Sequence, residues 1–212
     1  MKDIAIFGAG GFGREVACLI HLINKKSPIW NIIGFFDDNP SLKGEHNEYG
    51  EVLGGVGALN EWDKPVAIAI AIGNPQIVKN VVERITNENV SYPNIFAPST
   101  TFLDEDNITF GKGNIICSQC LFSCNVHIGD FNVFNGFITV GHDATIGNYN
   151  SLMPAVRISG EVKIGNCNFF GVDAVVLQRI KIGNDTKISA NSVIIRKTKD
   201  GETYVGNPAS IL

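Results

Sequence analysis

The chain has 212 residues, of which 44% are hydrophobic and 18% charged, so it is long enough to form one large or two small globular domains. Its net charge of −4 argues against a nucleic-acid-binding protein, and no apolar run reaches the roughly 20 residues of a membrane span. Five cysteines, an odd number, and an N-terminus without the features of a secretory signal predict reduced thiols and a cytoplasmic location.

The first half of the sequence alternates predicted strands with predicted helices. Residues 4–7 form a buried apolar run, a helical pattern follows to about Asn24, and a second apolar run spans residues 30–36. A third strand is predicted over residues 66–72 and a second helix over residues 76–88. The order strand, helix, strand, strand, helix predicts a small, mostly parallel α/β sheet.

A glycine-rich turn joins the first predicted strand to the first predicted helix. Gly8, Gly10 and Gly13 match the G-x-G-x-x-G spacing, and Asp37 ends the next strand. Such glycines let a diphosphate approach the backbone, the helix N-terminus adds N–H donors, and an acidic residue accepts from a ribose hydroxyl. The segment is only half of a Rossmann-like dinucleotide fold, so we predict a mononucleotide diphosphate here. The alternative is a tight turn without a ligand.

The second half of the sequence is a repeat with a period of six residues. Every sixth residue from Phe110 to Ile194 is large and apolar. A period of eighteen lies on top of it, carried by Gly111, Gly129, Gly147, Gly165 and Gly183 and by Asn114, Asn132, Asn150 and Asn168. The apolar pattern of the first half stops between Tyr92 and Pro98, so we predict two domains, residues 1–94 and 95–212.

A period of six excludes an amphipathic α-helix, because successive positions would fall on three faces of the helix. Short strands that each point one large residue inward, joined at corners where Gly or Asn accepts a positive φ, satisfy the pattern. Three strands close a triangular coil of eighteen residues, and such coils stack with parallel pairing. The recurrent asparagines are then expected to stack in a hydrogen-bonded ladder.

This repeat resembles that of the hexapeptide-repeat acyltransferases, whose coils form left-handed parallel β-helices. The handedness follows from the resemblance, because the spacing is the same for either hand. We therefore predict a left-handed parallel β-helix of about five coils over residues 110–195. The resemblance also implies acyl transfer from a coenzyme A thioester.

Four histidines are available for the general base that such a transfer needs. His142 follows the inward-facing Val140 by two positions and is expected to point outward. Asp143 is expected to orient the imidazole if the chain turns there, because neighbours in a strand face opposite ways. One coil further on, Gly160 is expected to leave room for a ligand and to direct its N–H towards the thioester carbonyl. The alternative for His142 is a solvated surface histidine.

Both halves together resemble the bacterial sugar acetyltransferases that join a small nucleotide-sugar-binding α/β domain to a left-handed β-helix. That group includes UDP-4-amino-sugar N-acetyltransferases, perosamine N-acetyltransferases and sialic acid O-acetyltransferases. The segments that carry the resemblance are Ile6–Gly11, Phe35–Asp38, His142–Asp143 and Tyr204–Ala209. The resemblance implies an acetyl-CoA-dependent homotrimer with active sites between adjacent β-helices, acting in glycan or polysaccharide biosynthesis.

The same resemblance implies roles for individual residues. It implies that His142 is the catalytic base, Asp143 its partner, and Asn135 a residue that holds the acceptor sugar. The nucleotide would contact Gly8, Gly10, Gly11, Phe12, Gly13, Asp37 and Asp38. Acetyl-CoA would follow Gly160, Gly171, Val172, Ser189, Ala190, Gly206 and Pro208. Some members carry histidine where this chain has Phe12, which puts a sugar contact from that position in doubt.

Other functions are compatible with parts of the sequence. O-acetylation of sialic acid or another sugar hydroxyl differs only in the acceptor, and a non-catalytic nucleotide-binding scaffold or an NAD enzyme would use the glycine-rich turn alone. A zinc β-helix of the carbonic anhydrase type needs three histidines, whereas only His127 and His142 lie in the repeat. Cys117, Cys120 and Cys124 lack a fourth ligand at suitable spacing, so no metal site is predicted.

Overall fold

The computed structural model describes residues 1–212, and its N-terminal part is an open α/β sheet. Its elements are β1 (Lys2–Phe7), α1 (Gly11–Lys26), β2 (Trp30–Phe36), β3 (His46–Asn47), β4 (Gly50–Gly54), α2 (Val56–Asn60), β5 (Val66–Ile70), α3 (Pro75–Arg84) and β6 (Val90–Ser91). The strand order is β3-β4-β2-β1-β5-β6, and only the β3–β4 pair is antiparallel. The predicted strands and helices are present. The structure adds β3, β4, α2 and β6, which are too short to show a period.

The centre of this sheet is formed by β5, which is apolar and buried throughout, and by β1, whose apolar residues Ile4–Phe7 are buried and whose first two residues are exposed. On one side of the sheet, α1 packs a buried face that includes Val16 and Ile20. The last helix, α3, begins at Pro75, where the Asn74 side chain accepts from two backbone N–H groups of the first turn. Because β1 and β5 are adjacent and parallel, the turns that follow them lie side by side at the carboxyl end of the sheet.

From Ile95 onward the chain winds into a β-helix of very short strands. They are β7 (Ile95–Phe96), β8 (Thr101–Phe102), β9 (Thr109–Phe110), β10 (Ile115–Ile116), β11 (Leu121–Phe122), β12 (His127–Ile128), β13 (Val133–Phe134), β14 (Thr139–Val140), β15 (Thr145–Ile146), β16 (Ser151–Leu152), β17 (Arg157–Ile158), β18 (Lys163–Ile164), β19 (Phe169–Phe170), β20 (Val175–Val176), β21 (Lys181–Ile182), β22 (Lys187–Ile188), β23 (Val193–Ile194), β24 (Thr203–Val205) and β25 (Ser210–Ile211). A 3₁₀ turn at Pro40–Leu42 and another at Glu105–Asn107 complete the structure.

Strands on the same side of the triangular coil pair in parallel, eighteen residues apart through most of the β-helix, twenty apart at Ile95–Ile115 and sixteen apart at Lys187–Thr203. The first side is β7-β10-β13-β16-β19-β22-β24, the second is β8-β11-β14-β17-β20-β23 and the third is β9-β12-β15-β18-β21. The first corner joins the first side to the second, the second corner joins the second to the third, and the third corner leads back to the first. The predicted inward residues from Ile116 to Ile194 are all buried, which confirms the left-handed parallel β-helix.

The corners turn at left-handed residues spaced six apart, with φ between 53° and 69° from Gly113 to Asn191. Most of them carry side chains, including Phe131, Tyr149 and Glu161, although this region costs about 1–2 kcal/mol for such residues. Most of the N–H groups of these residues donate to carbonyls of the preceding coil; that of Glu161, for example, donates to the His142 carbonyl at 2.8 Å, whereas that of Gln119 donates to the Ser99 hydroxyl. The prediction that the recurrent glycines hold the positive φ angles is therefore wrong.

The recurrent glycines are required by close stacking of the coils at the third corner. At Gly147, a Cβ atom would lie 2.6 Å from the Gly165 carbonyl oxygen and 2.5 Å from the Asn166 side-chain oxygen. The same clash would arise at Gly129 and Gly165. No side chain larger than hydrogen fits there, whatever the backbone angles.

The predicted asparagine ladder is present and fully buried, with Asn114, Asn132, Asn150 and Asn168 stacked at the third corner. The Oδ1 atoms of Asn114, Asn132 and Asn150 each accept from both the backbone N–H and the amide of the asparagine one coil later, at 2.8–3.0 Å, and Asn168 Oδ1 accepts from the Thr186 backbone N–H. A second, more exposed ladder runs beside it through Asp130, Asn148, Asn166, Asn184 and Asp200, whose side chains accept from the preceding coil. The sequence analysis did not predict this second ladder.

Replacing Asn150 with alanine is expected to lower the free energy of unfolding by about 3 kcal/mol, because it leaves two buried N–H donors of Asn168 without an acceptor. The matched control is Asn166→Ala in the second ladder, where water replaces the lost bond and the cost is about 1 kcal/mol or less. Urea unfolding at one fixed protein concentration measures both. Equal losses at the two positions would contradict the prediction.

The α/β sheet packs on the first side of the β-helix. Ile95 and Ile115 from the first coils share one core with Val16 and Ile20 of α1. At the third corner, the Phe131 ring contacts Tyr92 edge-on, with ring centroids 5.0 Å apart. None of the three helices is long and apolar enough to cross a bilayer. This packing places α1 and its glycine-rich turn beside the first side of the coils.

Candidate active site

His142 and Asp143 form a contact at the second corner, where the His142 Nδ1 atom lies 2.7 Å from Asp143 Oδ2. The two side chains meet because Asp143 is a left-handed corner residue with φ 57°, which removes the alternation expected of a straight strand. Both side chains are about half exposed, at 47% and 48%. The outward position predicted for His142 is confirmed, and with Nδ1 held by the carboxylate its Nε2 atom is the ring nitrogen left for proton transfer.

Asp143 has a second partner one coil earlier. The Asn125 amide donates to Asp143 Oδ1 at 2.6 Å. This hydrogen bond, followed by the contact with His142, lowers the pKa of the Asp143 carboxyl below its ordinary value. A carboxylate that stays ionised stabilises the imidazolium that forms when His142 accepts a proton.

Gly160 lies directly beneath the imidazole of His142. A Cβ atom at Gly160 would overlap that ring, coming within 2.7 Å of its Cε1 atom. The Gly160 N–H donates to no group within the chain. The room that the sequence assigned to a ligand is therefore taken by the His142 ring, and the direction of the Gly160 N–H towards a thioester stays a prediction.

The glycine-rich turn has two kinds of glycine. Gly8 and Gly13 are required for packing. Gly8 has φ 112°, and a Cβ atom there would lie 2.6 Å from the Ala71 carbonyl oxygen. A side chain at Gly13 would overlap the Gly8 carbonyl. Gly10 and Gly11 have no neighbouring atom within 4 Å of a Cβ position. Gly10 caps α1 without a side-chain hydrogen bond, so the first N–H groups of this helix are open to an anion.

The acidic residues after β2 hold the surrounding loops. Asp37 accepts from the backbone N–H groups of Ala9 and Asn39, both at 2.9 Å, and so links the glycine-rich turn to its own loop. Asp38 accepts from the first N–H of α2 and pairs with Arg84 at 2.7 Å. Each oxygen of both carboxylates therefore accepts one hydrogen bond within the chain and keeps a further lone pair, and only Asp38 is paired with a cation.

The loop after β5 belongs beside this turn, although the sequence analysis missed it. Gly73 and Asn74 follow β5, the strand adjacent to β1, and this edge between β1 and β5 is where open α/β sheets bind ligands. Residues 73–76 also line a cleft of about 470 Å³ against Phe169 and Lys187 of the first side. The signal that would have found the loop is Gly-Asn-Pro directly after a buried strand.

The other predicted contacts lie at different corners. Asn135 is at the first corner, in a cleft of about 290 Å³ against α1. Phe12 lies in the first turn of α1 and is partly buried against the core. The first corner also carries four predicted coenzyme residues, Gly171, Val172, Ser189 and Ala190, while Gly206 and Pro208 lie at and after the end of β24. One whole side of the coil separates Asn135 from His142 within the chain.

The three neighbouring cysteines of the repeat do not form a cluster. Cys120 is buried inside the coil, Cys117 is partly buried beside α1, and Cys124 is exposed at the second corner. Burial raises the pKa of Cys117 to about 12 and that of Cys120 to about 11, which opposes the thiolate form that zinc requires. No group of three or more potential ligands is close enough to hold a metal ion.

A glycine-rich α/β turn and a histidine–carboxylate corner on a left-handed β-helix define a hexapeptide-repeat acyltransferase. Residues 3–85 match the family model of the PglD N-terminal domain. A comparison with curated proteins finds no match. Over its whole length the chain is similar to bacterial acetyltransferases that join such an N-terminal domain to a β-helix, in agreement with the resemblance found in the sequence.

Several solved structures are similar along their whole length. The acetyltransferase domain of PglB from Neisseria gonorrhoeae in complex with acetyl coenzyme A is 27% identical, with a TM-score of 0.88 over 100% of this chain and 99% of that one. WeeI from Acinetobacter baumannii is 28% identical, with a TM-score of 0.88 over 100% of both chains. Perosamine N-acetyltransferase from Caulobacter crescentus, a point mutant in complex with CoA and GDP-perosamine, shares the fold at 24% identity, with a TM-score of 0.85 over 100% of this chain and 97% of that one.

Proposed function

We propose that this protein transfers the acetyl group of acetyl-CoA to the amino group of a nucleotide-linked sugar. The observation that carries the proposal is that Asp143 holds the His142 ring on an outward corner of the β-helix. The same chain also carries a helix N-terminus without a side-chain cap. The acetyltransferase domain of PglB, similar along 99% of that domain, is in complex with acetyl coenzyme A. N-acetylation of a nucleotide sugar is the chemistry named for the fold relative from Caulobacter crescentus.

The proposed reaction uses His142 as the general base. Its Nε2 atom accepts a proton from the sugar amine as the amine nitrogen forms a bond to the thioester carbonyl carbon. The C–S bond then breaks, and the imidazolium gives the proton to the departing thiolate, so the products are an acetamido sugar and free CoA. Asp143 stabilises the positive ring, and the Gly160 N–H is our candidate donor to the developing oxyanion.

The proposed substrate contacts combine the two halves of the chain. The nucleotide diphosphate lies on the N–H groups around Gly10 and Gly11, with Gly8 and Gly13 shaping the turn and the loop at residues 73–76 beside it. Asp37 accepts from the nucleotide, and Asp38 supports the site through Arg84. Acetyl-CoA follows the coils along Gly160, Gly171, Val172, Ser189, Ala190, Gly206 and Pro208.

We further propose a homotrimer in the cytoplasm that serves glycan or polysaccharide synthesis, with domains at residues 1–94 and 95–212. Asn135 and His142 lie on opposite edges of the second side, so a sugar held at the first corner needs the second corner of another copy to supply a base. A cytoplasmic location agrees with the five free cysteines. Light scattering of the purified protein measures the assembly directly.

Incubation with acetyl-CoA and a panel of UDP- and GDP-linked 4-amino sugars, CMP-sialic acid and free sialic acid tests the reaction. We expect thiol release with one amino sugar and a product that resists hydroxylamine, because hydroxylamine cleaves esters and spares amides. Thiol release only with sialic acid, and a hydroxylamine-sensitive product, would move the acceptor to oxygen. No thiol release and no binding of acetyl-CoA would overturn the enzyme and favour a nucleotide-binding scaffold.

A further inference from the structure

We infer that Asn125 is a positioning residue for the reaction, acting on His142 through Asp143. The inference rests on the proposed function, because it assigns a third member to the same site. Asn125 touches neither the imidazole nor any reacting atom. Its amide holds one oxygen of the Asp143 carboxylate, and the other oxygen holds the His142 ring.

The geometry depends on the stacking of two corners. Asn125 and Asp143 are left-handed corner residues one coil apart, with φ 55° and 57°. Their nearly equal φ angles point both side chains out of the second corner in the same direction. Consequently the Asn125 Nδ2 atom meets Asp143 Oδ1 at 2.6 Å, and the carboxylate is fixed with Oδ2 at 2.7 Å from His142 Nδ1.

The next two residues of the same column, Glu161 and Arg179, pair with each other. Glu161, one coil after Asp143, accepts from Arg179 at 3.0 Å and from Gln178 at 2.9 Å. Its negative charge is thereby neutralised by Arg179 and not left to repel Asp143. The column of corner side chains is thus divided into two hydrogen-bonded pairs, and Asn125 is the only side-chain partner of Asp143 besides His142.

The chemical consequence concerns the ring nitrogens. A carboxylate fixed at Nδ1 selects the neutral tautomer that carries its proton on Nδ1, which leaves the Nε2 lone pair for the amine proton. Without the amide, the half-exposed Asp143 side chain is free to rotate towards water. A larger share of His142 then adopts the wrong tautomer or orientation, so kcat falls while substrate binding is unchanged.

Two variants separate positioning from folding. Asn125→Gly removes the amide and suits the positive φ, and Asn125→Asp keeps the shape without the N–H donor. Gln119→Gly is the matched control, since Gln119 is a corner residue with φ 61° on another corner. We expect both Asn125 variants to lose about tenfold in kcat, less than the roughly 10²–10⁴-fold lost with the general base itself, with KM for acetyl-CoA within about twofold of wild type. The control is expected to keep its activity.

Long-range ¹H–¹⁵N spectra of the imidazole provide a readout that is independent of turnover. We expect one Nδ1–H tautomer at His142 in the wild type and in Gln119→Gly, and a mixture in the Asn125 variants. Wild-type kcat together with a single tautomer in Asn125→Gly would overturn the inference. If the wild type has no transferase activity, the proposed function fails, and the spectra still decide whether Asn125 fixes the ring.

Discussion

Replacement of His142 by alanine is expected to lower kcat/KM for acetyl transfer by about 10³, within the range typical of a lost general base. The ring has one free nitrogen, Nε2, because Nδ1 contacts Asp143. Its side chain is 47% exposed and contributes nothing to the core, so the fold should survive the change. Thiol release under saturating and subsaturating amino sugar measures the loss, and thermal unfolding checks the fold.

His127 provides the matched control for this experiment. It is the other histidine of the coils, lies one coil earlier on the third side, and contacts the Thr109 hydroxyl at 2.8 Å through Nδ1. Because no carboxylate fixes its ring, His127→Ala should keep activity within about twofold. Equal losses in the two variants, or none in His142→Ala, would rule out His142 as the base.

The second large effect is expected from Gly160→Ala. A methyl group there would occupy the space of the His142 ring, and this exposed ring is the group free to move. Gly160 has an ordinary backbone conformation, so alanine adds no backbone strain. Displacing the base by about 1 Å costs roughly 10²-fold in rate, and we expect a loss of that size with the melting temperature nearly unchanged.

Gly165→Ala is the control that separates this local effect from a general intolerance of coil glycines. Its Cβ atom would lie 2.6 Å from the Gly183 carbonyl oxygen, which is backbone and cannot rotate away. We expect a loss of about 2 kcal/mol in the free energy of unfolding, with kcat retained by the folded protein. Calorimetry and initial rates on the two variants distinguish the cases. A destabilised Gly160→Ala with normal kcat would contradict the role of the ring.

Much of the architecture could be predicted because every coil of the β-helix requires the same residue types at the same positions. One inward apolar residue in six and one buried asparagine in eighteen are both visible in the sequence, and both take the predicted positions. The identity of the corner residues could not be predicted. Their positive φ is imposed by coil stacking and accepts Phe131 or Glu161 as well as Gly113, so no residue type marks the turn.

The site was predicted less completely, since it depends on contacts between coils. His142 and Asp143 are adjacent in the sequence, but only the left-handed turn at Asp143 lets their side chains meet. Asn125 lies eighteen residues before Asp143 and belongs to no recognisable motif, so its hydrogen bond to Asp143 becomes visible only in the structure. Likewise, Gly160 was predicted correctly to be a neighbour of His142, but its direct contact with the imidazole ring was not predicted.

The eighteen-residue coil also restricts how the length of this protein can change during evolution. Loss or gain of one residue within a strand would move the side chains after it by one position and turn inward apolar residues towards water, whereas a corner accepts extra residues, as the first coil does at Glu105–Asn107. Loss or gain of eighteen residues would preserve the inward positions, both ladders and the corners, and would alter the prism by one step of about 4.8 Å. Extra corner residues change the outline of one coil, whereas the distance along the prism axis between the His142 corner and the C-terminal segment changes by whole coils.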